Sequence, residues 1–176
     1  MSNTLPLKKK CLLHIDFLGF YNLVGIQSNT KFLEKYFFEY VEKNFCKKFI
    51  TPTFNYQFCK TQITSNKSKS ELSGISEYFR KKLSKSRSFD PIFSFCRNYK
   101  QINNIKNTLR SFDENSAITE IIKDDGFYFF CGTPISFITP GIHFLENLIS
   151  TPYRYDKIFK GIYKFDNKKI KIKYTY

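Results

Sequence analysis

Residues 125–146 spell out a strand, a loop and a helix in succession, and this unit restricts the fold more than any other stretch of the chain. Asp125-Gly126 is a turn signal. Phe127-Tyr-Phe-Phe-Cys131 follows, an uncharged run of strand length without the alternation of a one-sided strand. It predicts an interior strand of an α/β sheet, covered on both faces. Gly132, Pro134, Pro140 and Gly141 then interrupt the apolar stretch, so residues 127–144 read as strand, loop and helix start rather than a membrane span. Thr139 can act as N-cap. Pro140 suits the first helical position, where its missing N–H has no helical partner.

Other segments fit the same alternation. Cys11-Leu-Leu-His-Ile15 is a short apolar run that predicts a second interior strand. The Ser28-Asn-Thr30 cluster introduces a helix in which Leu33, Phe37, Val41 and Phe45 recur every four residues. Phe49, Ile50 and Thr51 continue as strand. Residues 61–73 are polar and rich in Ser, Lys and Asn, which predicts a loop. Ser73 caps a helix whose Ile75, Phe79 and Leu83 share a face, and Asn115/Ser116 start another that runs through Lys123. Near the C-terminus, Lys-Ile-Lys-Ile-Lys (169–173) alternates strictly and predicts a half-buried edge strand guarded by lysines. Strands alternating with helices predict one domain, residues 1–176, with a three-layer α/β/α sandwich around a mostly buried mixed sheet. Ligands of such sheets collect at the carboxyl ends of strands, here the loops after Ile15, Ile50 and Cys131.

Composition narrows the function classes. The 176 residues carry a formal charge of +14, with 29 Lys and Arg against 15 Asp and Glu. The basic residues are spread along the chain, without a zinc signature or a recognition helix of clustered cations, so a basic nucleic-acid-binding protein is the least favoured reading and nucleic acid is not expected as a partner. The 21 Phe and 12 Tyr, with no Trp, reflect a compositional bias rather than an aromatic binding surface. Five cysteines at 11, 46, 59, 96 and 131 form no C-x-x-C pair. That odd count argues against a disulfide framework and a metal site, and for a reducing, cytoplasmic setting. His14 and Asp16 interrupt the apolar region that follows Lys8-Lys-Lys10, which excludes a signal peptide there.

The chemistry concentrates at His143 and Glu146. They stand at i and i+3 of the helix that Thr139-Pro140 opens, on one face. The start of a helix disfavours an imidazolium, which suits a general base, and Glu146 can orient the ring. A buried, hydrogen-bonded core histidine is the alternative. Asp16, just past the first strand, is a candidate to bind a cationic substrate or a plain turn residue. His14 reads as packed within its strand. No cysteine is placed as a nucleophile, so any group transfer is expected to be direct.

Taken in order, Thr-Pro-Thr-Phe-Asn-Tyr (51–56), Gly74-Ile-Ser-Glu-Tyr-Phe-Arg80, Arg87-Ser-Phe-Asp-Pro-Ile-Phe-Ser94, Gly126-Phe-Tyr-Phe-Phe-Cys-Gly132, the His143/Glu146 helix and Tyr153-Arg-Tyr-Asp-Lys-Ile-Phe-Lys-Gly161 resemble the aminoglycoside 3-N-acetyltransferase family. The resemblance is strongest to members that look like amino-sugar acetyltransferases, and it covers roughly residues 9 to 163. It implies an acetyl-CoA-dependent N-acetyltransferase acting on an amino sugar or aminoglycoside, with His143 and Glu146 catalytic. It places Arg87, Ser88 and Ser94 near the cofactor and Asp16 near the substrate amine, with no metal. The chain departs from the pattern at Asp90, where many members have His, and at His14-Ile-Asp16, where they have a Ser-rich stretch. It is also short at both ends for the family. A non-catalytic homologue that still binds coenzyme A is therefore the second reading. Self-association stays open, because a shortened enzyme can complete its site through a partner copy.

Overall fold

The computed structural model describes residues 9–24, 30–102, 110–165 and 167–176. Ser28 and Asn29 of the expected helix-opening cluster lie outside the described residues. The main sheet has five strands: β1 (Lys10–Ile15), β2 (Lys48–Pro52), β4 (Ser86–Arg87), β5 (Phe95–Arg97) and β6 (Phe127–Cys131). A second sheet holds β3 (Ile63–Ser65), β7 (Ile158–Phe165) and β8 (Lys168–Thr175). The helices are α1 (Phe17–Val24), α2 (Thr30–Asn44), α3 (Phe58–Thr61), α4 (Gly74–Lys82), α5 (Ala117–Lys123) and α6 (Thr139–Leu148).

The five-stranded sheet runs β4-β5-β2-β1-β6. β1 pairs in parallel with β2 and β6, whereas β5 is antiparallel to β2 and to β4. The sheet is therefore mixed, and β1 is interior as its composition predicts. Side chains of β1 alternate between two cores. Cys11, Leu13 and Ile15 meet Phe37, Phe38 and Val41 of α2 and Ile75 and Phe79 of α4. Leu12 meets Ile118 and Ile121 of α5 and Phe144 of α6 on the opposite face. Helices cover both faces, which is the expected α/β/α sandwich.

Two local expectations need correction. Among the described residues β6 is not interior, because it pairs with β1 alone and ends the sheet. Its uncharged run arises from contacts on both faces: Phe127, Phe129 and Cys131 pack on one core and Tyr128 on the other. Covering both faces removes charge from a strand even where one edge is unpaired. The polar stretch 61–73 is also not all loop, since β3 pairs in parallel with β7 and buries Thr64. The lysine-rich β8 is an edge strand as expected, but of the second sheet. That sheet packs Tyr163, Ile172 and Tyr174 against Phe58, Phe89 and Ile92.

Of the expected caps, Ser73 forms one, whereas Ser116 stands at the N-cap position of α5 without a side-chain cap bond. Ser73 Oγ accepts the Ser76 N–H at 3.3 Å and opens α4. The junction of β1, α1 and β6 depends on two glycines. A Cβ on Gly19 would lie 1.9 Å from the Gly132 carbonyl oxygen, and Gly132 itself has φ +69°. Backbone meets backbone there, with no room for a side chain.

Candidate active site

The loops after β1, β2 and β6 converge on one cavity of about 610 Å³, lined by Ile15, Asp16, Pro52, Phe54, Thr133 and Thr139, among others. This is the set of strand ends expected from the sequence. α6 brings Pro140 and His143 to the same wall. A second cavity of about 330 Å³ adjoins it, lined by Arg110, Glu146, Arg154 and Asp156. His143, Phe112 and Tyr176 line both, so the imidazole stands between them.

The local start of α6 differs from expectation. A 3-10 turn, Ile135–Ile138, runs straight into the helix, and Thr139 is not its cap. The Thr139 hydroxyl instead donates to the Ser136 carbonyl at 3.0 Å. His143 is thus a full turn inside continuous helical backbone. The i,i+3 spacing still sets the two residues on one face, and His143 Nδ1 lies 3.0 Å from Glu146 Oε2, a direct contact that the spacing alone does not require.

The chain beyond α6 folds back onto this pair. Ser150 takes φ +51°, the Thr151 N–H returns to the Glu146 carbonyl at 3.1 Å, and the Arg154 N–H to Thr151 O at 3.2 Å. Tyr153 then donates its hydroxyl to Glu146 Oε1 at 2.9 Å. Arg154 Nη1 donates to Glu146 Oε2 and stands 2.5 Å from His143 Nδ1. Donors from His143, Tyr153 and Arg154 hold the Glu146 carboxyl down at about 2. Nδ1 thus meets both the Glu146 carboxylate, which accepts an Nδ1 proton, and the Arg154 guanidinium, which can only donate to an Nδ1 lone pair. The first arrangement is the one that leaves the Nε2 lone pair as the basic position. The ring packs 5.5 Å from Phe112 and 6.2 Å from Tyr176. Phe112 is buried at φ +56°, a conformation unfavourable for a side chain of this bulk, and such strain collects at functional sites.

The remaining site candidates separate. Asp16 is exposed at the end of β1, lines the large cavity and accepts the Leu18 N–H at 3.1 Å. Arg87, Ser88 and Ser94 do not border either of the two cavities. Arg87 donates Nε to Ser94 Oγ at 2.9 Å and Nη2 to the Thr53 carbonyl at 2.6 Å, with Nη1 on Ser68 O. The Ser94 hydroxyl also donates to Thr53 O, at 3.0 Å, and Ser88 Oγ accepts the Phe95 N–H at 2.8 Å. This trio braces the exit of β2, beside cavity residues Pro52 and Phe54. Asp90 ties neighbouring segments together, accepting from Ile92 N, Phe93 N, Ser111 Oγ and the Tyr174 hydroxyl.

Sequence reasoning assigned no role to Arg154, Tyr153 or Tyr176. Arg154 lies eight residues beyond Glu146, past the end of the helix, where no periodicity links them. The one signal available was its place in the Tyr153-Arg-Tyr-Asp segment.

No protein-family model and no curated protein matches the sequence. Solved structures do match. Aminoglycoside acetyltransferase AAC(3)-Xa superposes with a TM-score of 0.74 at 10% identity, over 98% of this chain and 66% of that one. AAC-IIIb in a binary complex with CoASH gives 0.72 at 11% identity, over 97% and 70%. The chain has the aminoglycoside acetyltransferase fold. Sisomicin-bound AAC-VIa shows the same acetyltransferase fold at 0.70 and 10% identity, over 98% and 70% of the two chains. Among the described residues, no helix is long and apolar enough to cross a membrane.

Proposed function

We propose that this chain is an acetyl-CoA-dependent N-acetyltransferase for an amino group of an amino sugar or aminoglycoside. The observation that carries the reading is the His143 Nδ1–Glu146 Oε2 contact at 3.0 Å on the wall of the 610 Å³ cavity. A fold shared with acetyltransferases supports the reaction class, and neighbours bound to CoASH or sisomicin suggest the two reactants. His143 and Glu146 are the catalytic pair. Nε2 takes a proton from the acceptor nitrogen as that nitrogen attacks the thioester carbonyl carbon. The C–S bond of the resulting tetrahedral species then breaks, and the proton on Nε2 passes to the departing thiolate of coenzyme A. Glu146 holds the ring in the tautomer this requires and stabilises the imidazolium between the two steps. Arg154 and Tyr153 keep that carboxylate ionised and fixed. Asp16, exposed on the same cavity, draws in the substrate ammonium. Arg87, Ser88 and Ser94 serve the cofactor side indirectly, by fixing the β2 exit that forms part of the cavity wall.

Incubation of the chain with acetyl-CoA and sisomicin, or with a nucleotide-linked amino sugar, tests this by mass spectrometry of the acceptor. A gain of one acetyl group that requires both reactants is the expected result. Calorimetric binding of coenzyme A without acetylation of any amine would instead identify a non-catalytic homologue.

A further inference from the structure

His14, the other histidine of the chain, takes no part in the reaction as derived so far. Its ring lies on β1, on the sheet face of Leu12, and stacks on Phe130 at 5.4 Å with 20° between the planes. It is 7% exposed, and Nε2 is buried with no hydrogen-bond partner. Burial lowers its proton affinity, to about 4, so the ring is neutral at physiological pH. A neutral imidazole offers one N–H and one lone pair, and a buried polar atom left unpaired carries a desolvation cost that a partner would relieve. Native proteins leave few such atoms unpaired without a reason.

The same ring lines the 610 Å³ cavity that His143 also lines. Asp16 is the one formally charged side chain among the described residues of that lining, and the rest is largely aromatic, aliphatic or hydroxyl-bearing. A phosphate finds no cation there, and an ammonium is served by Asp16. What an uncharged donor–acceptor ring suits is an uncharged oxygen. The χ2 torsion that decides which ring edge faces the cavity is a soft one. We propose that His14 is a ligand-contacting residue, forming a hydrogen bond with an uncharged oxygen of a bound reactant. That oxygen belongs either to the carbonyl groups of the acyl-pantetheine arm or to a hydroxyl of the amino sugar. The proposal rests on the acetyltransferase reading of the same cavity.

The test uses the full chain and two variants, His14→Phe and His14→Asn. Phenylalanine keeps the stack on Phe130 and removes both nitrogens, while asparagine keeps a neutral donor and acceptor. Rates are measured with acetyl-CoA and acceptor varied separately. His14→Phe should lower kcat/KM roughly tenfold, the scale of one lost neutral hydrogen bond, with Tm unchanged or raised. An effect confined to acetyl-CoA names the pantetheine arm as the source of the oxygen, and one confined to the acceptor names the sugar. His14→Asn should recover part of the loss and supplies the measurement if the phenylalanine variant does not fold. Wild-type kinetics in both variants would overturn the proposal. If the wild-type chain proves inactive, the function fails separately. His14 is then decided by calorimetry with coenzyme A and sisomicin. A roughly tenfold weaker binding in the variants supports the contact, and equal affinities, or no binding by the wild type, overturn it.

Discussion

Two arginine-centred clusters lie near the paired cavities, and of the two only that of Arg154 lines one of them. Arg154 joins the Glu146 carboxylate and the His143 imidazole at the surface of α6; Glu146 lines the smaller cavity and His143 lines both. Arg87 joins backbone carbonyls and a serine behind the β2 exit, and its bonds are directed inward. The first cluster lines a cavity, and the second lies outside both. The difference teaches that an Arg-Ser motif has to be judged by whether its donors face a cavity.

Substitutions that spare one property and damage the other sharpen this contrast. The largest effect is expected for His143→Ala, which should cut acetylation roughly 10²–10⁴-fold while leaving coenzyme A affinity and Tm close to wild type. A comparable fall in Tm would mean that the open cluster is structural after all. Arg87→Met should do the reverse. Loss of its charged donors strands the carbonyls of Thr53 and Ser68, a cost of about 2–4 kcal/mol and roughly 5–15 °C in Tm. Calorimetric unfolding with unchanged Tm but abolished coenzyme A binding would move Arg87 into the ligand site. Glu146→Gln is the mildest. The carboxyl is held at about 2 in the fold, against 4.5 unperturbed, so its contribution to stability is fully present above pH 4.5 and disappears as pH falls through 2. The glutamine variant should therefore show a flatter stability profile between pH 4.5 and 2. Its activity should fall less than that of His143→Ala, and an unaltered acid limb would show that the carboxylate gains nothing from its three donors.

The sequence revealed this site unevenly, for physical reasons. His143 and Glu146 were legible because helical spacing is local and converts directly into proximity. The convergence of the loops after Ile15, Ile50 and Cys131 followed from the rule that parallel strands gather their carboxyl ends. Arg154 was not legible, since it reaches Glu146 only through the backward turn at Ser150. β3 was hidden among polar residues because its pairing partner, β7, lies almost a hundred residues away. β6 looked interior because apolar composition reports covered faces and is silent about paired edges. His14 was readable as buried, but the lack of a partner for its nitrogen is a property of surroundings contributed by several distant segments.

The meeting of Gly19 with Gly132 has a mechanical consequence. The segment entering α1 and the segment leaving β6 touch through main-chain atoms, and the Asp16 N–H is bonded to the Cys131 carbonyl at 3.0 Å. A contact without side chains has no rotamers to absorb displacement, so a push on one segment is carried to the other without slack. Asp16 and Thr133 then form a single rigid lip of the cavity.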